Sequence, residues 1–257
     1  MKALILAGGL GTRLRPVLPD TAKPMAPVRG RPFVEYLVAH LARHGLTEIV
    51  LCIGYLGQQL RDHFGDGSRF GVAIRYSDEP QPMGTGGALK LAEPLIGADR
   101  SFLVANGDSF FGADLRALID DHRRRAALAT MALTRVLEPD AARYGGVELD
   151  DQMAIARFVE KGAAGSAGGL INAGLYLFER RVLEVIPAGI PVSLERETFP
   201  RLVGDRFYGL PLSGFFVDIG LPASYQEQQR DPGALSAPPP GAGGGKDADS
   251  GQGTPED

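Results

Sequence analysis

Continuous apolar runs alternate with helix-period segments along the first half of the chain. The apolar runs are "MKALILAG", "TEIVLCI", "VAIRYS" and "SFLVANGD". Each is short and ends at glycine or a polar residue, which is typical of buried strands in a parallel sheet. The helix-period segments are "RPFVEYLVAHLARHG", "GQQLRDHF", "GTGGALKLAEPLI" and "DLRALIDDHRRR". We therefore predict an α/β fold, with a mostly parallel sheet and helices on both of its faces.

The alternation of predicted strands and helices ends at Ala127. Four strand-like runs follow with little helix between them: "LATMALTRV", "YGGVELD", "MAIARFVEK" and "INAGLYLFE". They predict a mixed-sheet extension, followed by a helix at "SLERETFPRLV" and a hairpin-like pair of strands at "RFYGLPLSGFFVDIG". Beyond residue 230 the chain is rich in Pro, Gly, Ser and Asp and poor in bulky apolar residues. We predict one domain at residues 1–230 and a disordered tail at 231–257.

Charge and cysteine content narrow the functional classes. A net charge of −4 argues against a nucleic-acid-binding surface, which usually carries a basic excess, but allows a small anionic ligand held by a few basic residues. The one cysteine, Cys52, lies in an apolar run and is expected to be a buried packing residue. The lack of a disulfide, a membrane span or a signal peptide predicts a cytoplasmic protein. The four histidines show no metal-ligand spacing and are expected on solvated helix faces.

A glycine-rich loop follows the first predicted strand, in the run "GGLGTRLRPVLPDTAKPM". It lacks the Gly-Lys-Ser/Thr of a Walker A loop, and Leu14 stands where a dinucleotide fingerprint has its third glycine. Such a loop lets backbone N–H groups approach a phosphate or a base edge. Arg13 adds a planar fork suited to a diphosphate, and Lys23 adds a point charge beside a proline. On spacing alone, a triphosphate site and a solvated basic turn both remain open.

The stretch "LAGGLGTRLRPVLPDTAKPM" closely resembles the signature of the sugar-1-phosphate nucleotidyltransferases. The likeness continues through "NGDSFF", "YGGVELD", "FVEK", "INAGLYLF" and "FFVDIG", and covers roughly residues 1–230. It departs from the family pattern at Ala22, where a proline usually precedes the lysine. The resemblance implies a Rossmann-like fold of the nucleotide-diphospho-sugar transferase type. It also implies transfer of a nucleotidyl group from an NTP to a sugar 1-phosphate, with release of pyrophosphate.

Within this family the chain most resembles the guanylyltransferases of D-glycero-α-D-manno-heptose 1-phosphate. The runs "KPMAPVRGRPFVEYL", "PMGTGGAL", "GLINAGLYLF" and "FFVDIGLPASY" carry this likeness, which favours GTP, with mannose 1-phosphate as a related sugar substrate. The run "YLGQQLRDHFGDGSRFGVAIRYS" also resembles the N-acetylmuramate 1-phosphate uridylyltransferases. A third alternative is a catalytically inactive, nucleotide-sugar-binding regulatory subunit. The presence of Arg13, Lys23, Asp108 and Asp218 argues for activity.

The family reaction needs no general base, because a phosphate monoester is already largely ionised at neutral pH. It needs charge neutralisation and in-line alignment of the reacting groups. By resemblance, Arg13 clamps the β- and γ-phosphates, Lys23 neutralises the α-phosphate and Lys161 holds the sugar phosphate. Asp108 and Asp218 each follow an apolar strand and by resemblance hold one Mg²⁺.

The resemblance also implies a set of substrate contacts. The base pocket is expected at Leu6, Ala7, Gly8, Gly84 and Thr85, with further substrate contacts at Gly9, Gly11, Thr12, Asn106 and Gly107. The sugar is expected against Tyr144, Gly145, Glu160 and Asn172. The implied partners are an NTP, with GTP favoured, and a sugar 1-phosphate. A homo-oligomer is compatible with the family, and neither a nucleic acid nor a membrane is expected as a partner.

Overall fold

The computed structural model describes residues 1–136, 144–159, 169–230 and 235. Its strands are β1 (Ala3–Leu6), β2 (Pro27–Val28), β3 (Arg31–Pro32), β4 (Glu48–Ile53), β5 (Ala73–Asp78), β6 (Ser101–Asn106), β7 (Ser109–Phe111), β8 (Ala129–Arg135), β9 (Gly146–Leu149), β10 (Ile155–Val159), β11 (Leu170–Glu179), β12 (Phe207–Pro211) and β13 (Phe216–Asp218). Its α-helices are α1 (Phe33–Arg43), α2 (Gly57–Phe64), α3 (Gly84–Leu91), α4 (Glu93–Ile96), α5 (Leu115–Arg124), α6 (Phe199–Leu202) and α7 (Pro222–Arg230). The predicted alternation of strands and helices is confirmed.

Four parallel strands form the first half of the sheet, in the order β5-β4-β1-β6. Ile5 of β1 lies opposite Leu51 of β4 and Ala105 of β6, so the three strands end at the same edge. Ligands of open parallel sheets bind beyond the carboxyl ends of the strands. This edge, next to the glycine loop that follows β1, is therefore where a site is expected.

The second half of the sheet is mixed, as predicted. Strand β11 runs antiparallel to β6 on one side and to β8 on the other, and β9 pairs with the first residues of β11. Strand β10 pairs antiparallel with β9. The addition of these strands to β6 extends the parallel sheet beyond the predicted site.

The predicted hairpin in "RFYGLPLSGFFVDIG" is wrong. Strand β12 pairs parallel with β8 at the edge of the large sheet, whereas β13 pairs antiparallel with β7 in a separate two-stranded sheet. The chain crosses between the two sheets at Gly214, where an added Cβ would lie 2.9 Å from backbone atoms of Gly112. Two short apolar runs around a glycine suit a hairpin locally, but each run finds a partner strand elsewhere.

The sheet separates two apolar layers. Ile5, Leu51 and Ala105 face one layer, and their neighbours Leu4 and Cys52 face the other, because side chains alternate along a strand. Cys52 is fully buried, as predicted, and burial raises the pKa of its thiol.

Two histidines depart from the expected solvated positions. His40 is buried and packs edge-on against Phe110, with ring centroids 5.3 Å apart. Burial, aided by neighbouring positive groups, lowers the pKa of His40 to about 4. His122 is buried where its Nδ1 lies 2.9 Å from Thr130 Oγ1, and burial lowers its pKa. These residues widen the buried faces of α1 and α5 beyond their aliphatic stripes. His44 and His63 are half-buried.

The carboxyl-terminal helix α7 packs beside the glycine loop. Tyr225 donates its hydroxyl to Pro27 O at 2.9 Å. Leu235, which falls in the predicted tail, is buried in the same cluster as Leu14 and Phe33, and so contributes to a core. The rest of the predicted tail, 231–234 and 236–257, lies outside the described residues. Within the described ranges, no helix combines the length and apolar character that crossing a lipid bilayer requires.

Candidate functional site

A cavity of about 400 Å³ opens at the carboxyl ends of β1 and β6. It is lined by these residues that the sequence predicted: Leu6, Ala7, Gly8, Gly9, Gly11, Thr12, Arg13, Lys23, Gly84, Thr85, Asn106 and Asp108. Glu79, Glu195 and Gly220 also line it. The predicted nucleotide residues therefore converge on one cavity from β1, α3 and β6, although they are distant in sequence.

Backbone contacts and the buried side chain of Leu14 hold the glycine loop in its conformation. Leu14 is 2 % exposed, and its N–H donates to Gly11 O at 2.9 Å, which closes a turn. Gly11 has φ +61°, and an added Cβ there would lie 3.2 Å from the Cβ of Lys23. A side chain at this position would thus be strained and would crowd the lysine. The loop holds Lys23 close to its glycine turn.

The departure at Ala22 has a structural explanation. The Ala22 N–H donates to Gln59 Oε1 at 2.8 Å, and Gln59 Nε2 donates to Asp20 O at 2.7 Å. A proline at position 22 has no N–H and could not make the first of these bonds. Gln59 of α2 therefore stabilises the loop just before Lys23.

Lys23 and Asp108 lie together at one wall of the cavity, and Asp218 lies close to both but does not line it. The ammonium of Lys23 lies 2.5 Å from Asp108 Oδ2, with the Lys23 side chain 12 % exposed. The pairing of β13 with β7 places Asp218 opposite Ser109, and Ile219 N–H donates to Asp108 O at 3.0 Å. Burial, then the nearby Asp108 charge, raises the pKa of Asp218, and Lys23 partly opposes this. The site thus concentrates two carboxylates against one ammonium.

This arrangement fits a hard divalent cation. Mg²⁺ needs one or two protein carboxylates and completes its octahedron with water and phosphate oxygens. Asp108 and Asp218 supply two such groups, and a further cation would neutralise the negative charge that Asp108 adds to the effect of burial at Asp218. Across the described residues no cluster of three or more His, Cys, Asp or Glu side chains forms a richer metal site.

The opposite wall is built by the amino-terminal turn of α3. Gly84 has φ +68°, and an added Cβ would lie 2.5 Å from Val192 O, so only glycine fits. Thr85 Oγ1 donates to Glu195 Oε2 at 2.8 Å and accepts from Leu194 N–H at 2.8 Å. Glu195 could not be predicted from the sequence, because nothing local indicates that its segment folds back onto α3.

Glu79, which directly follows β5, was also not predicted from the sequence. Its Oε2 accepts the Met83 N–H at 2.9 Å. Its Oε1 lies against Gly8, where an added Cβ would come within 1.9 Å of it. Burial raises the pKa of this half-buried carboxyl. An acidic residue at the end of a parallel strand, close before the glycines of α3, is the signal that could have identified it.

Gly107, Tyr144, Gly145 and Asn172 are described by the structure but are not among the residues that line this cavity. Gly107 N–H donates to Leu6 O at 2.9 Å and joins the ends of β1 and β6. The ring of Tyr144 contacts Phe216 edge-on at 5.7 Å, and an added Cβ at Gly145 would lie 3.1 Å from Val159 O. Asn172 Nδ2 donates to Tyr176 OH at 2.8 Å. Two further predicted residues, Glu160 and Lys161, lie outside the described residues.

Two curated relatives are similar to this chain over most of its length. It is 38% identical over 232 residues to mannose-1-phosphate guanylyltransferase of Mycobacterium tuberculosis, covering 89% of this chain and 64% of the relative. It is 35% identical to D-glycero-alpha-D-manno-heptose 1-phosphate guanylyltransferase of Aneurinibacillus thermoaerophilus, covering 90% of this chain and 98% of that protein. The chain thus spans about two thirds of the first relative and nearly all of the second.

Solved structures agree. HddC from Yersinia pseudotuberculosis superposes with a TM-score of 0.79 at 31% identity, covering 89% of this chain and 98% of that one. A second HddC structure, complexed with GMP-PN, superposes with a TM-score of 0.78 over the same shares of both chains. The profile of the Nucleotidyl transferase family matches residues 2–232, which span the whole cavity and both carboxylates. The chain belongs to the Nucleotidyl transferase family.

Proposed function

We propose that this chain transfers GMP from GTP to a sugar 1-phosphate, forming a GDP-sugar and releasing pyrophosphate. The proposed sugar is D-glycero-α-D-manno-heptose 1-phosphate, with mannose 1-phosphate as the related substrate. The two named relatives use these sugars, and the heptose-type relative matches this chain nearly end to end. The proposed setting is the cytoplasm, with one chain or a homo-oligomer as the working unit.

The nucleobase choice rests on Glu79, the observation that carries this proposal. Its carboxylate is an acceptor-only group, with Oε2 committed to Met83 N–H and Oε1 against Gly8 at the cavity wall. Guanine presents two adjacent donors, N1–H and the N2 amino group, on its Watson–Crick edge. Uracil presents a single N–H between two carbonyl oxygens, which a carboxylate repels. A carboxylate at this position therefore favours guanine over uracil as the base beside Glu79.

The phosphates of the proposed substrate lie along the glycine loop. Arg13 lines the cavity beyond Gly11 and supplies a planar fork for the departing pyrophosphate. Lys23 lies between the loop and Asp108 and neutralises charge at the α-phosphate. The nucleophile is a sugar-phosphate oxygen that is already ionised, so these groups act by alignment and electrostatic stabilisation.

Nucleotidyl transferases of this family generally use a divalent metal ion. We propose Mg²⁺ as that ion, held by Asp108 and Asp218, where it would supply positive charge to the phosphate oxygens. With Asp108 holding such an ion, the Lys23 ammonium would be able to leave Asp108 and bind the α-phosphate. Tyr144, Gly145, Glu160, Lys161 and Asn172 stay proposed contacts of the sugar phosphate.

A turnover assay tests the proposal. The chain is incubated with each of four NTPs against heptose, mannose, glucose and N-acetylmuramic 1-phosphates, with Mg²⁺, and pyrophosphate release is measured. We expect GTP with a manno-configured sugar 1-phosphate to give the highest kcat/KM. A preference for UTP would replace this assignment with the uridylyltransferase alternative. Nucleotide-sugar binding without turnover would favour a regulatory subunit.

A further inference from the structure

A bulge in β11 brings polar groups together beside the cavity. Asn172 lies opposite Leu133 of β8 and Tyr176 lies opposite Met131, so β11 uses two more residues than β8 over the same span. Within the bulge Gly174 has φ +73°, and an added Cβ there would lie 2.4 Å from Ser109 Oγ. The bulge therefore packs directly against the strand that follows Asp108.

The hydrogen bonds of the bulge settle the orientation of the Asn172 amide. Gly174 N–H lies 2.9 Å from the Asn172 side chain, and a backbone N–H can only donate, so the atom facing it is Oδ1. The Nδ2 group consequently faces Tyr176 OH, at 2.8 Å. An amide NH₂ carries two hydrogens, and only one is used by Tyr176. Since no other described residue accepts from Asn172 Nδ2, its second N–H is open to a ligand.

Packing holds the Tyr176 hydroxyl rigidly. Tyr176 is 0 % exposed, and its ring contacts those of Phe178 and Phe199 at 5.6 and 5.2 Å. Burial raises the pKa of the phenol, which keeps it protonated. Its oxygen accepts a hydrogen bond from the Asn172 amide. The Asn106 side chain lies beside the phenol oxygen, and Asn106 Oδ1 has no hydrogen-bond partner among the described residues.

We propose that Tyr176 is a positioning residue for the sugar site, whose hydroxyl orients the Asn172 amide so that its free N–H meets a sugar hydroxyl. The inference rests on the proposed function, because it takes Asn172 as a sugar contact. It adds a residue that cannot touch substrate, since Tyr176 is fully buried beneath the site. Its effect is expected on sugar binding and not on the nucleotide.

The variant Tyr176→Phe tests the role, because it keeps the packed ring and removes only the hydroxyl. We expect the KM for the sugar 1-phosphate to rise about tenfold, with the KM for GTP and kcat within about twofold of wild type. Tyr76→Phe is the matched control. It loses a hydroxyl bond to Gly65 O at 2.7 Å on edge strand β5, and both KM values should stay unchanged. Equal changes in both KM values for Tyr176→Phe would overturn the proposal.

A double-mutant cycle separates positioning from plain structural support. Asn172→Asp keeps an acceptor for Gly174 N–H but removes the amide donors. If Tyr176 acts through Asn172, adding Tyr176→Phe to Asn172→Asp should raise the sugar KM no further. Fully additive losses would contradict the proposal.

An NMR measurement that does not depend on turnover tests the role of Tyr176 independently of the proposed function. The side-chain amide NMR signals of Asn172 can be identified by their absence in Asn172→Asp. They should shift in Tyr176→Phe and stay in place in Tyr76→Phe. Absence of turnover in the wild type would refute the proposed function, while unmoved amide signals would refute the role of Tyr176.

Discussion

Replacing Glu79 by glutamine should exchange the nucleobase preference of this protein. The Met83 N–H needs an acceptor, so the glutamine carbonyl would take the place of Oε2 and its NH₂ group the place of Oε1, beside Gly8. A donor would then face the two donors of guanine, and the same donor would suit a carbonyl oxygen of uracil. Hydrogen bonds to a charged group contribute about 1.5–3 kcal/mol. The upper end of that range corresponds to a loss on the order of 100-fold in kcat/KM for GTP.

The assay measures kcat/KM for GTP and UTP with one sugar 1-phosphate, in wild type, Glu79→Gln and the control Glu48→Gln. Glu48 is exposed at the first residue of β4, whereas the cavity lies at the carboxyl ends of the strands. Its carboxylate pairs with the Lys2 ammonium at 3.5 Å, so Glu48→Gln should behave as wild type. UTP turnover should rise in Glu79→Gln while GTP turnover falls. An unchanged GTP-to-UTP ratio in that variant would refute the assignment of Glu79 to the base.

The same carboxyl predicts a pH dependence. Burial raises the pKa of Glu79, and the guanine donors bind its ionised form. Protonation as the pH falls toward that pKa should therefore raise the KM for GTP. In the Glu79→Gln variant the triphosphate still titrates, but residue 79 no longer does. Its KM for GTP should therefore vary less with pH. Parallel KM profiles in the two proteins would contradict this.

Three further predictions concern the phosphate site and the core beside it. Lys23→Ala and Arg13→Ala should each lower kcat by about 10²–10³, because each removes a preorganised charge, with folding checked by circular dichroism. Asp108→Asn and Asp218→Asn should each nearly abolish turnover and shift the Mg²⁺ midpoint upward, and the double variant should be little worse than either single one; an unshifted midpoint would remove that residue from the metal site. Leu235→Ala should lower stability by about 2–3 kcal/mol, since its side chain is buried, whereas ending the chain at 235 should leave Tm unchanged in a thermal melt.

Much of the fold was predictable from local pattern. Continuous apolar runs can be stable only where both faces of a strand are covered, so they indicated a parallel core before any contact was known. The glycine turn could also be predicted, because Gly11 adopts a positive φ that other residues rarely adopt. The resemblance to the family added expected roles for Arg13, Lys23, Asp108 and Asp218, because it concerns single residues at fixed spacing.

The pattern of apolar and polar residues could not predict contacts between segments that are distant in sequence. Glu195 meets Thr85 across 110 residues, and this contact depends on how the chain returns to α3. The hairpin expected around Gly214 failed for the same reason, since local alternation says that a run is a strand but not which strand it pairs with. The predicted solvated position of His40 was wrong, because burial depends on what packs over a helix face.

The sequence by itself therefore determined the strands, the loop and the charged groups, since backbone geometry and side-chain chemistry are local properties. Only the tertiary structure decided that Glu79 lies beside Gly8 at the cavity wall, and that the buried Tyr176 hydroxyl accepts a hydrogen bond from Asn172. Both contacts arise from strand register and a bulge, which place residues from separate strands within hydrogen-bonding distance. Register is set by the packing of the whole sheet, so no single segment encodes it.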